Sequence, residues 1–423
     1  MKNNFIKKTL RNGVKLYLYQ DNSMKKTFVS YGVFYGSSGT FYDFYLDGKH
    51  NHVLPGCAHF LEHMLGEHSI YGNLYRYFDQ KNYKVNAETG DTFTHYYFTG
   101  RDNIYESIKE LITAIETPIF TEEDIKATSH AICEETKMTR DQKFRVALAI
   151  CKRNLYSNIE LVTDTLNSIG DEHTTRALDY NTLKACYDAF YNDENKFLII
   201  GGDIDIEDIT NYIESIYDNI KGHPNRRDAY HYSKSEKIRK EMQIEYMPTS
   251  DDLVAIGFKQ TLTHDYTNKE IKYFLKFVCK SKLSSYKEFI LRMKKENLLS
   301  CLEFIHTEEL KDNFHFIIGA STKNYKEFLI KLKDELKKVD FSEKDFDLYK
   351  RQQIAYEASK IDNKYKSLRK FVYAMSYTDN FDDMDFIKAL DFEKFMEFYK
   401  TLDFTQTTTA LIQSPEKKKI LTK

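Results

Sequence analysis

The apolar positions in the first hundred residues follow two different periods. The runs at 14–20 and 27–37 are rich in β-branched and aromatic side chains, which favours strands, and the short polar link between them predicts an antiparallel pair. Residues 57–65, after a Pro-Gly turn, instead carry apolar side chains at helical spacing. A second helix is predicted over 73–82.

Between residue 85 and the middle of the chain, the sequence again changes from patterns typical of strands to patterns typical of helices. Residues 85–100 are rich in Thr, Tyr and Phe and predict one strand or two short ones. Two helical patterns follow at 103–120 and 121–138, and the second opens like a capping box. The apolar run at 196–205 predicts a buried strand, followed by a helix at 206–220.

A polar segment at 221–240, containing a glycine and a proline, separates two halves of similar size. Between residues 252 and 339 the second half repeats the order of strand, helix, two strands and helix. We therefore predict an α+β protein of two homologous α/β domains, 1–225 and 236–423. In each of them helices pack on a mostly antiparallel sheet.

The composition of the chain is that of a globular protein, with 41% apolar and 30% charged residues over 423 positions. A net charge of −2, with no concentrated basic region, argues against a nucleic-acid partner. No apolar segment reaches the length of a membrane span or of a signal peptide. The six cysteines form no CxxC pair and are interpreted as reduced thiols. These features predict a cytoplasmic protein without a membrane partner.

The candidate chemistry lies in the first predicted helix, in the sequence HFLEH at 59–63. Residues four apart share one helical face, so the imidazoles of His59 and His63 can reach one ion, and such nitrogens are good Zn²⁺ ligands. Glu62 lies beside them and can act as a general base toward a metal-activated water. The alternative is a polar helix face that only meets solvent, but the surrounding apolar residues make an unpartnered imidazole costly.

A third ligand is available on the helix predicted at 121–138. Glu135 continues an inward stripe that includes Ile132, whereas Glu134 lies on the adjoining stripe. Spacing does not decide between the two glutamates, and a salt bridge to a lysine is an alternative for either.

The HxxEH motif, with a glutamate about seventy residues later, resembles the pitrilysin/insulinase (M16) zinc metallopeptidases. The resemblance extends through LRNGVKLYLYQ, PGCAHFLEHML, NAETGDTFTHYYF, AICEETKM and LKACYDAFYNDENKFLIIGGDID, and is closest to the short bacterial M16B subunits. It implies a fold of the LuxS/MPP-like metallohydrolase type. It also implies that His59, His63 and Glu135 bind Zn²⁺ and that Glu62 is the catalytic base.

The resemblance further implies that a peptide substrate adds as a strand along NAETGDTFTHYYF. Main-chain groups of Asn86, Ala87 and Glu88 would then hold the substrate. An ordinary strand of the first domain is the alternative.

Two departures from the family pattern bear on the partners of the chain. Thr128 stands where many relatives have a further glutamate. Arg292 is present in the second half, but Leu299 replaces the tyrosine that relatives use with it to bind the substrate carbonyl and the oxyanion. We therefore expect a heterodimer with an M16-like subunit that lacks HxxEH and supplies the missing groups, although a homodimer stays open.

Together these observations predict a zinc-dependent endopeptidase that cleaves peptides or short unfolded segments, with precursor or leader peptides as one possible substrate. A noncatalytic peptide-binding or scaffolding subunit is the alternative, and a small-molecule metallohydrolase fits the motif but not the length. His52, His68 and Glu67 are assigned to the surroundings of the site, and Cys57 and Cys133 to buried helix positions.

Overall fold

The computed structural model describes residues 5–157, 169–230, 237–261, 265–310, 313–373, 375 and 383–417. The chain forms two compact units. The first comprises Met1–Lys137, Asn167–His231 and Glu357–Asp382, and the second comprises Met138–Leu166, Tyr232–Tyr356 and Asp383–Lys423. Each unit is formed mainly by one half of the sequence but also includes one segment from the other half. We call these two segments, Met138–Leu166 and Glu357–Asp382, the exchanged segments. The predicted division between 225 and 236 is contiguous and does not anticipate them. Residues 231–236 of that boundary lie outside the described part.

The helices are numbered in chain order. They are α1 (Cys57–Glu67), α2 (Leu74–Asp79), α3 (Ile104–Glu116), α4 (Glu122–Arg140), α5 (Lys143–Leu155), α6 (Glu172–Ala177), α7 (Tyr180–Phe190), α8 (Ile206–Tyr217), α9 (Asn268–Leu283), α10 (Glu288–Lys295), α11 (Tyr325–Lys337), α12 (Glu343–Asp362), α13 (Lys364–Phe371), α14 (Met384–Ala389) and α15 (Phe392–Thr401). Short 3-10 helices occur at Gly39–Phe41 and Asp193–Asn195. Among the described helices, none combines the length and apolar character needed to cross a membrane.

The strands are likewise numbered along the chain. They are β1 (Ile6–Thr9), β2 (Lys15–Gln20), β3 (Thr27–Val33), β4 (Asp43–Leu46), β5 (Lys49–His52), β6 (Lys84–Thr89), β7 (Thr94–Gly100), β8 (Lys196–Gly202), β9 (Arg227–Ala229), β10 (Met242–Tyr246), β11 (Asp252–Thr261), β12 (Cys301–Leu310), β13 (Asn313–Thr322) and β14 (Thr407–Gln413). The first unit contains a sheet in the order β1-β2-β8-β3-β7-β6 and a small sheet β5-β4-β9, and the second contains a sheet in the order β10-β14-β11-β13-β12.

The two large sheets share one plan. The five-strand order β2-β8-β3-β7-β6 of the first unit corresponds to β10-β14-β11-β13-β12 of the second. In both sheets the first pair of this series is parallel and the other pairs are antiparallel. The predicted fold class, two α/β units with mostly antiparallel sheets, is confirmed.

The predicted pairing of the first two strand runs is wrong. β2 and β3 do not pair, because β8 lies between them, parallel to β2 and antiparallel to β3. Every residue of β8 is buried, and a strand this apolar is stable only in the interior of a sheet. β2 instead forms an antiparallel pair with β1, in which Ile6 lies opposite Leu18.

Helices cover both faces of each sheet. In the first unit, one face packs on α1, α3, α7 and α8, and the opposite face packs on α13 through Leu368 and Phe371. In the second unit, one face packs on α9, α11 and α15, and the opposite face packs on α5 through Cys151 and Leu155. The helices α13 and α5, which belong to the exchanged segments, therefore complete the two sheets.

A buried ion cluster joins the sheet of the first unit to α3. The ammonium of Lys196 on β8 lies 2.7 Å from Glu116 Oε2 and 2.9 Å from Asp193 Oδ1. The Tyr31 hydroxyl donates to the other oxygen of Glu116 at 2.9 Å. Because these groups are fully desolvated, removing the cation leaves buried negative charge without compensation.

We expect Lys196→Met to lower the free energy of unfolding by about 3–5 kcal/mol, because a buried ion pair is broken on one side only. Urea denaturation followed by circular dichroism measures this loss. The control is Lys137→Met, whose exposed pair with Glu134 at 2.7 Å is screened by solvent, so that its loss should leave the free energy of unfolding nearly unchanged. Equal effects of the two substitutions would show that the cluster does not stabilise the unit.

Candidate active site

Helix α1 begins at a tight backbone approach. Gly56, just before the helix, has φ of 95°, and a Cβ there would lie 3.0 Å from the Cα of Gly170. Only glycine adopts this conformation without strain. The helix then enters the core, and its buried apolar side chains are Ala58, Phe60, Leu61, Met64 and Leu65. Its histidines and glutamates are His59, Glu62, His63 and, at the last position, Glu67.

The structure brings His59 and His63 to one carboxylate of α4. Glu135 Oε2 lies 3.7 Å from His59 Nε2 and 3.6 Å from His63 Nε2, and one ligand atom from each of the three residues falls within 4.8 Å of the others. The two imidazole rings lie nearly edge to face, with centroids 4.7 Å apart and an interplanar angle of 80°. Two imidazole nitrogens and one carboxylate oxygen thus converge on one point.

This set of atoms fits a tetrahedral metal ion. Zinc bonded at about 2.0–2.1 Å to nitrogen and oxygen holds its ligand atoms about 3.3 Å apart, close to the separations between Glu135 and the imidazoles. Three protein ligands of this kind leave a fourth position for water. His59 Nδ1, the ring nitrogen that faces away from Glu135, is buried without a hydrogen-bond partner among the described residues. His63 Nδ1, in contrast, is held at 2.8 Å by Glu67 Oε1.

Glu134 and Glu135, between which helical spacing did not decide, have different surroundings in the structure. Glu134 is exposed and forms an ion pair with Lys137 at 2.7 Å, one turn along the same helix. Glu135 lies at the imidazoles, on the stripe of α4 that includes the buried residue Ile132. The geometry therefore favours Glu135 as the third ligand.

The pKa values of His59 and His63 are shifted in opposite directions by burial and by the neighbouring ionisable groups. Burial and the neighbouring His63 lower the pKa of His59 to about 4. Burial alone would also lower the pKa of His63, but hydrogen bonds with Glu135 and Glu67 raise it to about 10. One positive charge is thus favoured beside the carboxylates, and a second proton on the pair is disfavoured.

Glu62 is a buried carboxyl on the same helix. Burial raises the pKa of Glu62 to about 7, against the opposing effects of Thr89 and His63. The Thr89 hydroxyl, at the end of β6, donates to Glu62 Oε2 at 2.5 Å. A carboxyl in this environment can take up and release a proton near neutral pH, as a general base requires.

Several neighbours of the motif have structural partners of their own. His68 contacts Asp124 Oδ1 at 2.8 Å through Nδ1 and Thr128 Oγ1 at 3.2 Å through Nε2. His52 Nδ1 contacts Asp43 at 3.0 Å. Thr128 therefore packs against the end of α1 through His68.

Two residues that contact the site were not predicted from the sequence. Glu67, assigned above to the surroundings, holds the imidazole of His63, and its position four residues later on the helix could have indicated this contact. Thr89 holds Glu62 from another element, and local spacing carries no signal for that contact. Cys57 and Cys133 are buried as expected, and Cys57 Sγ lies 3.3 Å from Cys186 Sγ.

The residues predicted to hold a peptide lie on β6, which is an edge strand of its sheet. Asn86 is exposed, and its side-chain oxygen accepts the Ala87 N–H at 3.0 Å. That N–H consequently points away from the neighbouring strand. The side chain of Glu88 is not open to a ligand, because its carboxylate accepts hydrogen bonds from Arg369 and Tyr373.

Arg292 and Leu299 belong to the second unit. The guanidinium of Arg292 is half-exposed and lies 3.9 Å from Glu335. Leu299 is buried in the apolar core of that unit. This position therefore presents no polar group to solvent.

Comparison with protein families gives two matches that follow one another along the chain. Residues 49–167 match the family described as insulinase, peptidase family M16, and residues 177–353 match the family described as peptidase M16 inactive domain. A zinc protease of Bacillus subtilis (strain 168), YmfH, whose function is uncharacterised, is 29% identical over 208 residues. That alignment covers 48% of this chain and 47% of the relative, so it spans about half the length of each.

Solved structures share the fold over nearly the whole chain. An M16-like peptidase from Alicyclobacillus acidocaldarius has a TM-score of 0.84 at 19% identity, covering 97% of this chain and 98% of its own. A protease from Helicobacter pylori has a TM-score of 0.76 at 16% identity, covering 98% and 100%. An M16 inactive domain from Pseudomonas fluorescens has a TM-score of 0.77 at 14% identity, covering 97% and 98%. At these identities the likeness concerns the fold.

We expect Glu67→Gln to weaken Zn²⁺ binding by about 10–100-fold, because a carboxylate that orients a ligating imidazole also increases its basicity. Competition with a fluorescent chelator measures the affinity. Glu134→Gln, which removes an exposed carboxylate of the neighbouring helix, is the control and should leave the affinity unchanged. An unchanged affinity in Glu67→Gln would mean that the contact with His63 does not support metal binding.

Proposed function

Because the chain belongs to the insulinase family of peptidases, family M16, we propose that it is a zinc-dependent endopeptidase. The observation that carries this proposal is the convergence of two imidazole nitrogens and a carboxylate oxygen beside the buried carboxyl of Glu62. His59, His63 and Glu135 would hold Zn²⁺. When bound, the ion supplies Lewis acidity, which polarises a carbonyl and lowers the pKa of a coordinated water.

Glu62 would provide the proton transfers of peptide hydrolysis. Its carboxylate takes a proton from the attacking water and then delivers it to the nitrogen of the leaving amine. Burial favours this role, because it raises the pKa of Glu62 into the range where both protonation states are accessible. The hydroxyl of Thr89 fixes one carboxylate oxygen and leaves the other for water.

The substrate would be bound as an additional strand on β6. An edge strand presents main-chain N–H and C=O groups that pair with an extended peptide regardless of its side chains. The outward N–H of Ala87, which donates to the side chain of Asn86, is one such donor. Peptides and short unfolded segments can adopt this extended form, whereas folded domains cannot, and a precursor or leader peptide is one substrate of this kind.

We further propose that the chain acts with an M16-like partner subunit that lacks HxxEH. Support comes from Leu299, which has no hydroxyl and is buried in a core at the position where relatives use a tyrosine. A partner would supply the groups that bind the substrate carbonyl and the oxyanion.

The cysteines, all of which are free thiols, fit a reducing compartment such as the cytoplasm.

The decisive experiment is cleavage of an unstructured fluorogenic peptide by the zinc-loaded chain, alone and with the protein encoded by the adjacent gene. We expect Glu62→Gln to reduce kcat by about 10²–10⁴-fold, because the proton acceptor is lost. Zinc content, measured by atomic emission, should stay at one ion per chain.

Glu134→Gln is the matched control, since it removes a carboxylate from the exposed face of the ligand helix and should leave kcat unchanged. A wild-type chain that binds no zinc would contradict the ligand assignment. Zinc binding without Glu62-dependent cleavage, even with the partner, would instead favour a noncatalytic peptide-binding subunit.

We expect Ala87→Pro to weaken peptide binding about tenfold, because proline removes one main-chain donor that faces the substrate strand. Fluorescence anisotropy of a labelled peptide on the Glu62→Gln protein measures binding without turnover. Ile6→Pro, at the first residue of the strand on the opposite edge of the sheet, is the control. Equal affinities of all three proteins would exclude binding along β6.

A further inference from the structure

The carboxylate of Glu88 on β6 is held by a segment almost three hundred residues later in the chain. Arg369 of α13 donates to Glu88 Oε2 from Nε at 3.1 Å and from Nη2 at 2.9 Å, and the hydroxyl of Tyr373 donates to Oε1. His95, buried on β7 directly opposite Glu88, has its Nε2 3.7 Å from Oε2. Burial disfavours the charged form, but these contacts outweigh it and lower the pKa of Glu88 to about 2.

The next residue, Thr89, is tied to the opposite face of the sheet. Successive side chains of a strand alternate between faces, so Thr89 points to the side where Val85 and Ala87 pack against the core that contains α1. There its hydroxyl donates to Glu62. Glu88 therefore connects β6 to α13 on one face of the sheet, and Thr89 connects it to α1 on the other face.

This fastening matters because β6 is an edge strand. Among the described strands it pairs with β7 on one side and has no neighbour on the other, so ladder hydrogen bonds hold it from one side. The contacts of Glu88 and Thr89, together with the packing of Val85 and Ala87, therefore resist displacement of the strand perpendicular to the sheet. If the grip on Glu88 loosens, the hydroxyl of Thr89 moves relative to Glu62.

The second unit contains the same construction without the HxxEH motif. On its edge strand β12, Glu308 lies opposite His315 of β13, the same pairing as Glu88 and His95. Lys152 of α5 contacts Glu308 at 2.6 Å, and Tyr156, four residues later, hydrogen-bonds with His315 Nδ1 at 2.8 Å. In both units the Glu–His pair is contacted by a basic residue and by a tyrosine four residues after it on an exchanged segment. These residues are Arg369 and Tyr373 in the first unit, and Lys152 and Tyr156 in the second.

We propose that Arg369 and Tyr373 are positioning residues of the peptidase, which hold β6 so that Thr89 keeps the carboxylate of Glu62 oriented for catalysis. The proposal rests on the function proposed above. The repeated construction explains how the edge strand is held in either unit. In the first unit, the residue after the gripped glutamate is Thr89, which contacts Glu62.

A double-mutant cycle tests this coupling on the zinc-loaded enzyme, with its partner present when turnover requires it. We expect Arg369→Met and Thr89→Val each to lower kcat by about tenfold, and the double variant to lower it by about tenfold as well, because both changes release the same hydrogen bond. Tyr373→Phe removes a single hydroxyl from a half-exposed ring and replaces Arg369→Met in the cycle if that variant does not fold.

Two controls separate positioning from general stability. Arg11→Met removes another arginine of the first unit that binds two carboxylates, Glu214 and Asp218, and Tyr156→Phe removes the corresponding hydroxyl of the second unit. Both substitutions should leave kcat and zinc content unchanged. Each of them combined with Thr89→Val should then give the product of the separate effects, which is the kcat of Thr89→Val alone. A merely structural role of Arg369 would likewise give multiplied effects and a lower melting temperature.

The outcomes distinguish this proposal from the proposed function. Glu62-dependent cleavage in which the effects of Arg369→Met and Thr89→Val multiply, or in which Arg369→Met has no effect, overturns the positioning role and leaves the peptidase assignment intact. Absence of zinc-dependent cleavage in the wild type overturns both. A kcat of the double variant equal to that of the single variants supports the coupling.

Discussion

The site depends on the burial of a helix that carries ionisable groups. α1 is surrounded by apolar packing, and yet His59, Glu62 and His63 lie within its eleven residues. Buried polar groups are costly unless they find partners, so each must be satisfied from another element or by a ligand. This requirement places Glu135 of α4 at the imidazoles and the end of β6 at Glu62. Because these partners come from distant parts of the chain, the site exists only when the whole first unit is folded.

The repeated architecture shows how one plan can serve two purposes. Both sheets end in an edge strand whose glutamate pairs with a histidine of the next strand and with a cation on an exchanged helix. These side-chain contacts tie each edge strand to a helix as well as to the neighbouring strand. In the first unit, this edge lies next to the residues that could hold a metal. The second unit has the same edge strand with the same contacts, and Leu299 lies in its apolar core.

Much of the fold was readable from local patterns, because periodicity is a local property. The helix predicted at 206–220 corresponds to α8 (Ile206–Tyr217), and the run at 14–20 contains β2 (Lys15–Gln20). The pairing of β2 with β3 was not predictable in this way, since neighbours in sequence need not be neighbours in a sheet, and a fully buried strand from residue 196 onward takes the place between them.

The same distinction applies to the site. The helical spacing of HFLEH was sufficient to nominate His59, Glu62 and His63, and the stripe on α4 was sufficient to nominate Glu135 beside Glu134. The grip of Arg369 on Glu88 spans 281 residues, and no local signal reports it. The exchange of α5 and α13 between the units was likewise invisible, because an amphipathic helix shows which face is apolar but not which sheet that face will cover.

Composition alone also does not distinguish the two clusters of histidine and glutamate that occur among the described residues. His306, Glu308 and His315 converge in the second unit as closely as the first set does. There, however, the ammonium of Lys152 already lies 2.6 Å from Glu308, whose side chain is 15% exposed, and balances its charge. Glu135 is 46% exposed, so solvent and a hydrated ion can reach the imidazoles that it faces. A metal centre for catalysis needs an open position for water, and of the two clusters in the described part of the chain it is the one with the HxxEH motif that combines ligand geometry with such access.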